Sequence, residues 1–152
     1  MGDAGVNYYL SPRDRKAKHA LQDSGYIYYL VRGNHEARPE EVAGIELTND
    51  LLVKNEVYCD PEFPAIRYLK DGGIYYFNDH KTLVFGGAYS VDKWYRLANG
   101  WIWHKNEQLT DEEKENMCAL ESDIKKKGEN AYYYAHKSRF ENTNLDPNAK
   151  TI

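Results

Sequence analysis

Tyr26-Ile27-Tyr28-Tyr29-Leu30-Val31 runs directly into Arg32-Gly33-Asn34-His35-Glu36, and these two stretches decide how the chain is read. The first six residues are aromatic, aliphatic or β-branched and suit a buried strand. At Gly33 the side chain disappears, so the backbone can turn sharply or come close to a ligand. Asn34 and His35 then offer an oxygen and a nitrogen donor at adjacent positions. A helix is expected just before, with Ser11 as N-cap, Pro12 at the first helical position and Ser24-Gly25 as its end. Ala17, Ala20 and Leu21 give it a modest apolar stripe. A helix followed by a strand that ends in a polar loop is half of an α/β unit, whose ligands collect beyond the carboxyl ends of strands.

Further along, Pro39-Glu40-Glu41-Val42 suggests a short helix ahead of a stretch with no clear period. Ile66–Leu69, Ile74–Phe77 and Thr82–Phe85 then read as three successive strands, with turns at Lys70-Asp71-Gly72-Gly73 and Asn78-Asp79-His80-Lys81. They suggest a sheet layer separate from the first strand. Thr110-Asp111-Glu112-Glu113 has the form of a capping box. The helix it opens carries Met117, Leu120 and Ile124 on one inward face, and Lys125-Lys126-Lys127 suits the negative end of its dipole before Gly128. Ala131–Ala135 reads as another buried strand ending at His136, followed by a polar tail over residues 137–152.

A chain of 152 residues with 41% hydrophobic content fits one domain with a single core. A net charge of −4 argues against a general binder of nucleic acid or membrane surfaces. Cys59 and Cys118 lack ligand or redox spacing and are expected to be free thiols in a reducing compartment. No run approaches the roughly 20 apolar residues of a membrane span, and no signal peptide is visible, so a cytoplasmic protein is the expectation. The 14 tyrosines, against 4 phenylalanines and 3 tryptophans, fit strands with one wet edge. Trp94-Tyr95 and Trp101–Trp103 are expected to pack in the core or in a lid.

By residue type alone, the candidate site keeps two readings open. Asn34 suits a turn cap as well as a ligand. His35 and His136 suit satisfied strand-end residues as well as an acid or a metal donor, and Asp3 suits a solvated acid. His19, His80 and His104 are assigned no role.

Several segments, in order, resemble the calcineurin-like metallophosphoesterases of bacterial and phage type. Gly2-Asp3-Ala4-Gly5 resembles the family's Gly-Asp motif, and Arg32-Gly33-Asn34-His35-Glu36 resembles its Gly-Asn-His-Glu motif. Leu83–Lys93, with Gly86-Gly87-Ala88, is similar to a segment of such members, as are Trp101-Ile102-Trp103 and Glu107–Thr110. Tyr134-Ala135-His136 resembles the strand end that supplies a metal-binding histidine. A serine/threonine phosphatase fits less well, because Ala4-Gly5-Val6-Asn7 stands where Asp-Arg-Gly would follow.

The resemblance implies an α/β sandwich of two mixed sheets flanked by helices, with residues 1–136 as a partial phosphoesterase domain. It implies hydrolysis of a phosphomonoester or phosphodiester by a metal-activated water. Asp3, Asn34 and His136 would hold Mn, Fe or Zn, His35 would be the general acid and Arg32 would contact the phosphate. The family pairs two cations about 4 Å apart to activate water and neutralise phosphoryl charge. Its Asp-x-His and Gly-His-x-His motifs have no counterpart here. The expectation is therefore a domain truncated at both ends, lacking the first strand, with three ligands for one cation and weak or lost turnover. The alternative is a non-catalytic interaction remnant of the same fold.

Overall fold

The computed structural model describes residues 4–78, 80–87 and 90–127, together with the backbone of 132–134. These residues form a mixed α/β arrangement of two sheets and three helices. Helix α1, Pro12–Gln22, starts as expected: the Ser11 hydroxyl accepts from the Arg13 N–H at 3.3 Å. Its Ala17 and Leu21 pack on a core cluster of Val6, Leu30, Phe63, Ile66 and Tyr68.

The first sheet holds β1 (Tyr28–Leu30), β2 (Glu46–Asp50), β3 (Asn55–Cys59) and β4 (Ile66–Leu69), in the order β1-β4-β3-β2. β1 runs parallel to β4, and the other pairs are antiparallel. β1 is shorter than the apolar run that announces it. Tyr26 and Ile27 are 70% and 50% exposed rather than buried, because pairing with β4 begins only at Tyr28, opposite Ile66.

The second sheet holds β5 (Ile74–Phe77), β6 (His80–Val84) and β7 (Tyr132–Tyr134), with β5 antiparallel and β7 parallel to β6. The three strands read as one successive layer thus divide between sheets. β4 joins the first strand, and the Lys70–Gly73 connection carries the chain from one sheet to the other. Gly73 closes that turn by donating to the Lys70 carbonyl at 3.1 Å, while Gly72 donates to Val84 at 2.8 Å. Val57 and Leu69 of the first sheet meet Tyr75 and Val84 of the second in one cluster with Val31 and Val53. Tyr75 is fully buried there, its hydroxyl donating to the Glu56 carbonyl at 3.0 Å and accepting from the Lys70 N–H at 2.7 Å.

Helix α2, Lys93–Ala98, has no counterpart in the sequence reading. Its Trp94 and Tyr95 are 74% and 62% exposed and Trp101 is 54% exposed, so these aromatics face solvent rather than a core. Helix α3, Asp111–Lys126, opens on a complete capping box: Thr110 accepts from Glu113 N at 3.1 Å and Glu113 accepts from Thr110 N at 2.7 Å. Ile124 and Met117 pack with Leu83, Phe85 and Ile74. Leu120, expected on the same inward face, is instead exposed at the rim of a cleft. Cys59 and Cys118 are free thiols, and burial pushes the Cys59 thiol up against the lowering effect of Arg67. Among the described residues no helix is long and apolar enough to cross a membrane.

Candidate functional site

The polar loop after β1 is built from inside outward. Glu36, at its end, is buried and turns its carboxylate onto backbone N–H groups. One oxygen accepts from Gly5 at 2.7 Å and Val6 at 3.3 Å, and the other from Gly33 at 3.1 Å. Ala37 N–H adds a bond to the Asn7 carbonyl at 2.9 Å. The segment around residues 4–7 is thereby fastened to the loop at 32–37, two pieces of chain that the sequence separates by about thirty positions. Glu36 carried no assigned role in the sequence reading. Its signal was only its place within the pentapeptide.

Arg32, read from the resemblance as a phosphate contact, lies 5% exposed beneath the loop. Its guanidinium pairs with Asp71 at 2.9 Å and donates to the carbonyls of Glu107 at 3.2 Å and Gly86 at 3.4 Å. Asp71 also accepts from the Gly86 N–H, and the Gly87 N–H donates to the Arg32 carbonyl at 2.6 Å. This close approach explains the paired glycines. A Cβ at Gly86 would stand 2.7 Å from the Arg32 carbonyl oxygen, and one at Gly87 would stand 2.7 Å from its guanidinium nitrogens. Gly87 also holds φ +73, a left-handed conformation that costs other residues.

Asn34 is buried, and its amide nitrogen donates to Ser90 Oγ at 3.0 Å. Ser90 Oγ lies 3.2 Å from Glu107, whose carboxylate forms a two-pronged pair with Arg96 at 2.8 Å for each prong. Burial is the largest single influence on Arg96 and opposes its charge, but the Glu107 hydrogen bonds together with the attraction of Glu107 and its acidic neighbours hold the guanidinium above its ordinary value. His35 is half-exposed, with Nε2 3.4 Å from an Asp92 carboxylate oxygen. His104, assigned no role, places Nε2 2.9 Å from the Tyr8 carbonyl and so braces the same region.

Asp3 and His136 lie outside the described residues. Of the described chain nearest to them, Gly5 is bound by Glu36, and β7 ends at Tyr134 opposite Val84, two residues before Gly86. Among the described residues no three His, Cys, Asp or Glu side chains stand close enough to hold a metal ion. The donor chemistry of Asn34 nevertheless suits a hard cation. With its nitrogen on Ser90, the amide has its carbonyl oxygen as the atom of a type such a cation accepts.

On the α3 side, a cleft of about 270 Å³ is lined by Arg32, Asp71, Phe85, Arg38, Glu113 and Met117 among others. Arg38 grips Glu113 at 2.6 and 3.1 Å, and that ion pair draws the Glu113 carboxyl from its ordinary 4.5 to about 2 against the opposing effect of burial. No family model matches the chain, and neither a curated protein nor a solved structure matches it.

Proposed function

We propose that this chain is a calcineurin-like phosphoesterase of weak turnover, hydrolysing a phosphomonoester or phosphodiester with the help of one bound Mn, Fe or Zn ion. The observation that supports the reading is the convergence of separate segments at the carboxyl end of β1. Residues 4–7 are held by Glu36, Asn34 and His35 stand on the loop, and Gly86-Gly87 and Ser90–Asp92 close over it. In this reading Asn34 supplies one ligand through its carbonyl oxygen, with Asp3 and His136 as the others. The cation, when bound, neutralises phosphoryl charge and acidifies water. Asp92, 3.4 Å from His35 Nε2, orients the imidazole that in this reading passes a proton to the leaving oxygen. Arg32 is engaged by Asp71 and two carbonyls, so it braces the loop, and the phosphate falls to the cation and His35.

Calorimetric titration with manganese, zinc and ferrous ion, paired with hydrolysis of bis(p-nitrophenyl) phosphate and p-nitrophenyl phosphate, tests the assignment. Binding of one ion with turnover that falls about 100-fold in His35→Ala is the expected result. A chain that takes up none of the three ions, or whose hydrolysis is untouched by His35→Ala, is not this enzyme. A second reading, an interaction module on the same scaffold, is favoured by the exposed Trp94, Tyr95 and Trp101 that follow Asp92 in the chain. It predicts no turnover in either form.

A further inference from the structure

We propose that Glu107 and Ser90 are positioning residues, a relay of fixed polarity that sets which end of the Asn34 amide turns away from Ser90. Glu107 is fully buried, and its carboxylate is an acceptor only. Both of its oxygens face the N–H groups of Arg96, a side chain that keeps its protons at any ordinary pH. Oε1 takes Arg96 at 2.8 Å and the His104 N–H at 3.0 Å, while Oε2 takes the other Arg96 prong at 2.8 Å and lies 3.2 Å from Ser90 Oγ.

A serine hydroxyl has one proton to give. Directed at Glu107, it leaves only lone pairs for the Asn34 side chain 3.0 Å away. Directed instead at the Asn34 backbone carbonyl at 3.4 Å, the same proton again leaves only lone pairs for the amide and so gives the same polarity. The group of Asn34 that meets Ser90 must therefore be NH2. The reversed amide would set oxygen against oxygen inside a site from which water is excluded. Ser90 is 1% exposed and Asn34 8%, so solvent offers the reversed form no compensation. A buried arginine thus fixes, through two intermediaries, that the carbonyl oxygen is the end of the amide turned away from Ser90. Asn34 becomes a neutral oxygen donor of set orientation, the kind of ligand that manganese accepts.

What that oxygen meets rests on the metal-dependent reading above, whereas the relay is a property of the metal-free protein. The test therefore has two arms. In metal-free, nitrogen-15-labelled protein, the Asn34 side-chain NH2 protons are expected to be protected from exchange. Ser90→Ala is expected to abolish that protection with the backbone amide spectrum preserved, and Ser90→Thr, which keeps the hydroxyl, is expected to retain it. Manganese affinity, read by calorimetry, is expected to fall about tenfold in Ser90→Ala and to recover in Ser90→Thr. Equal protection in the wild type and Ser90→Ala overturns the relay. Protection that depends on Ser90 in a chain with no manganese affinity upholds the relay and sinks the metal reading.

Discussion

Glu36 gathers three backbone N–H groups from two segments, and its loss would leave those of Val6 and Gly33 buried without their partner, while that of Gly5 is part-exposed. An orphaned buried donor costs about 1–3 kcal/mol, more where the lost partner was charged. Glu36→Ala is therefore expected to destabilise the protein by roughly 3 kcal/mol in urea unfolding, with the segment at residues 4–7 the first to lose hydrogen-exchange protection. A loss confined to activity, with the urea midpoint unmoved, would contradict this role. The pentapeptide was legible because a glycine, an amide and an imidazole at the end of an apolar run announce themselves by type. Its supports were not. Glu107 and Arg96 are charged residues that a sequence places at the surface by default, yet both are buried. Asp71 sat in what read as an ordinary turn, and its partnership with Arg32 spans 39 positions that no local pattern records.

At the scale of elements, the capping box at Thr110 does more than start α3. Arg38, from the stretch just after the signature loop, holds the same Glu113 that reaches back to Thr110, so the helix start is tied to the site. The Glu113 carboxyl is depressed from 4.5 to about 2, chiefly by Arg38. A depressed folded value means stability that is present above about pH 4.5 and is lost as pH falls towards 2. The difference in urea midpoint between the wild type and Glu113→Gln should accordingly be constant above pH 5 and shrink steadily down to about pH 2. A difference independent of pH would rule the ion pair out as its source.

α1 and α3 were readable because caps and breakers are local chemistry. β2 was not: Glu46-Leu47-Thr48-Asn49-Asp50 is polar and mostly exposed, and it is a strand only because β3 pairs with it. The allocation of β4 was equally hidden. The turn at Lys70–Gly73 looks the same whether it joins strands of one sheet or passes between two, and the parallel partner of β4 lies some forty residues earlier in the chain.

For the whole molecule, two sheets pack through Val57, Leu69, Tyr75 and Val84, and the site sits where their strand ends meet. This coarse α/β layout was legible in the alternation of helical and strand signals. The packing of one sheet on the other was not, since it depends on which strands pair. The bonds that finish the site join residues far apart in sequence: Arg32 with Glu107 across 75 positions, Asn34 with Ser90 across 56, and Glu36 with Gly5 across 31. The β2–β3 hairpin, by contrast, closes within fourteen residues. Chain closure over long separations is entropically costly and comes late on a folding route. Substitutions at Glu36 and Ser90 are therefore expected to speed unfolding and leave the refolding limb of the chevron nearly unchanged, while Val57→Ala in β3 slows refolding. Stopped-flow refolding would refute this if Glu36→Ala slowed folding as much as Val57→Ala. The clasp between Glu36 and Gly5 then has a temporal meaning besides its structural one: the chain acquires its body first and its polar loop last.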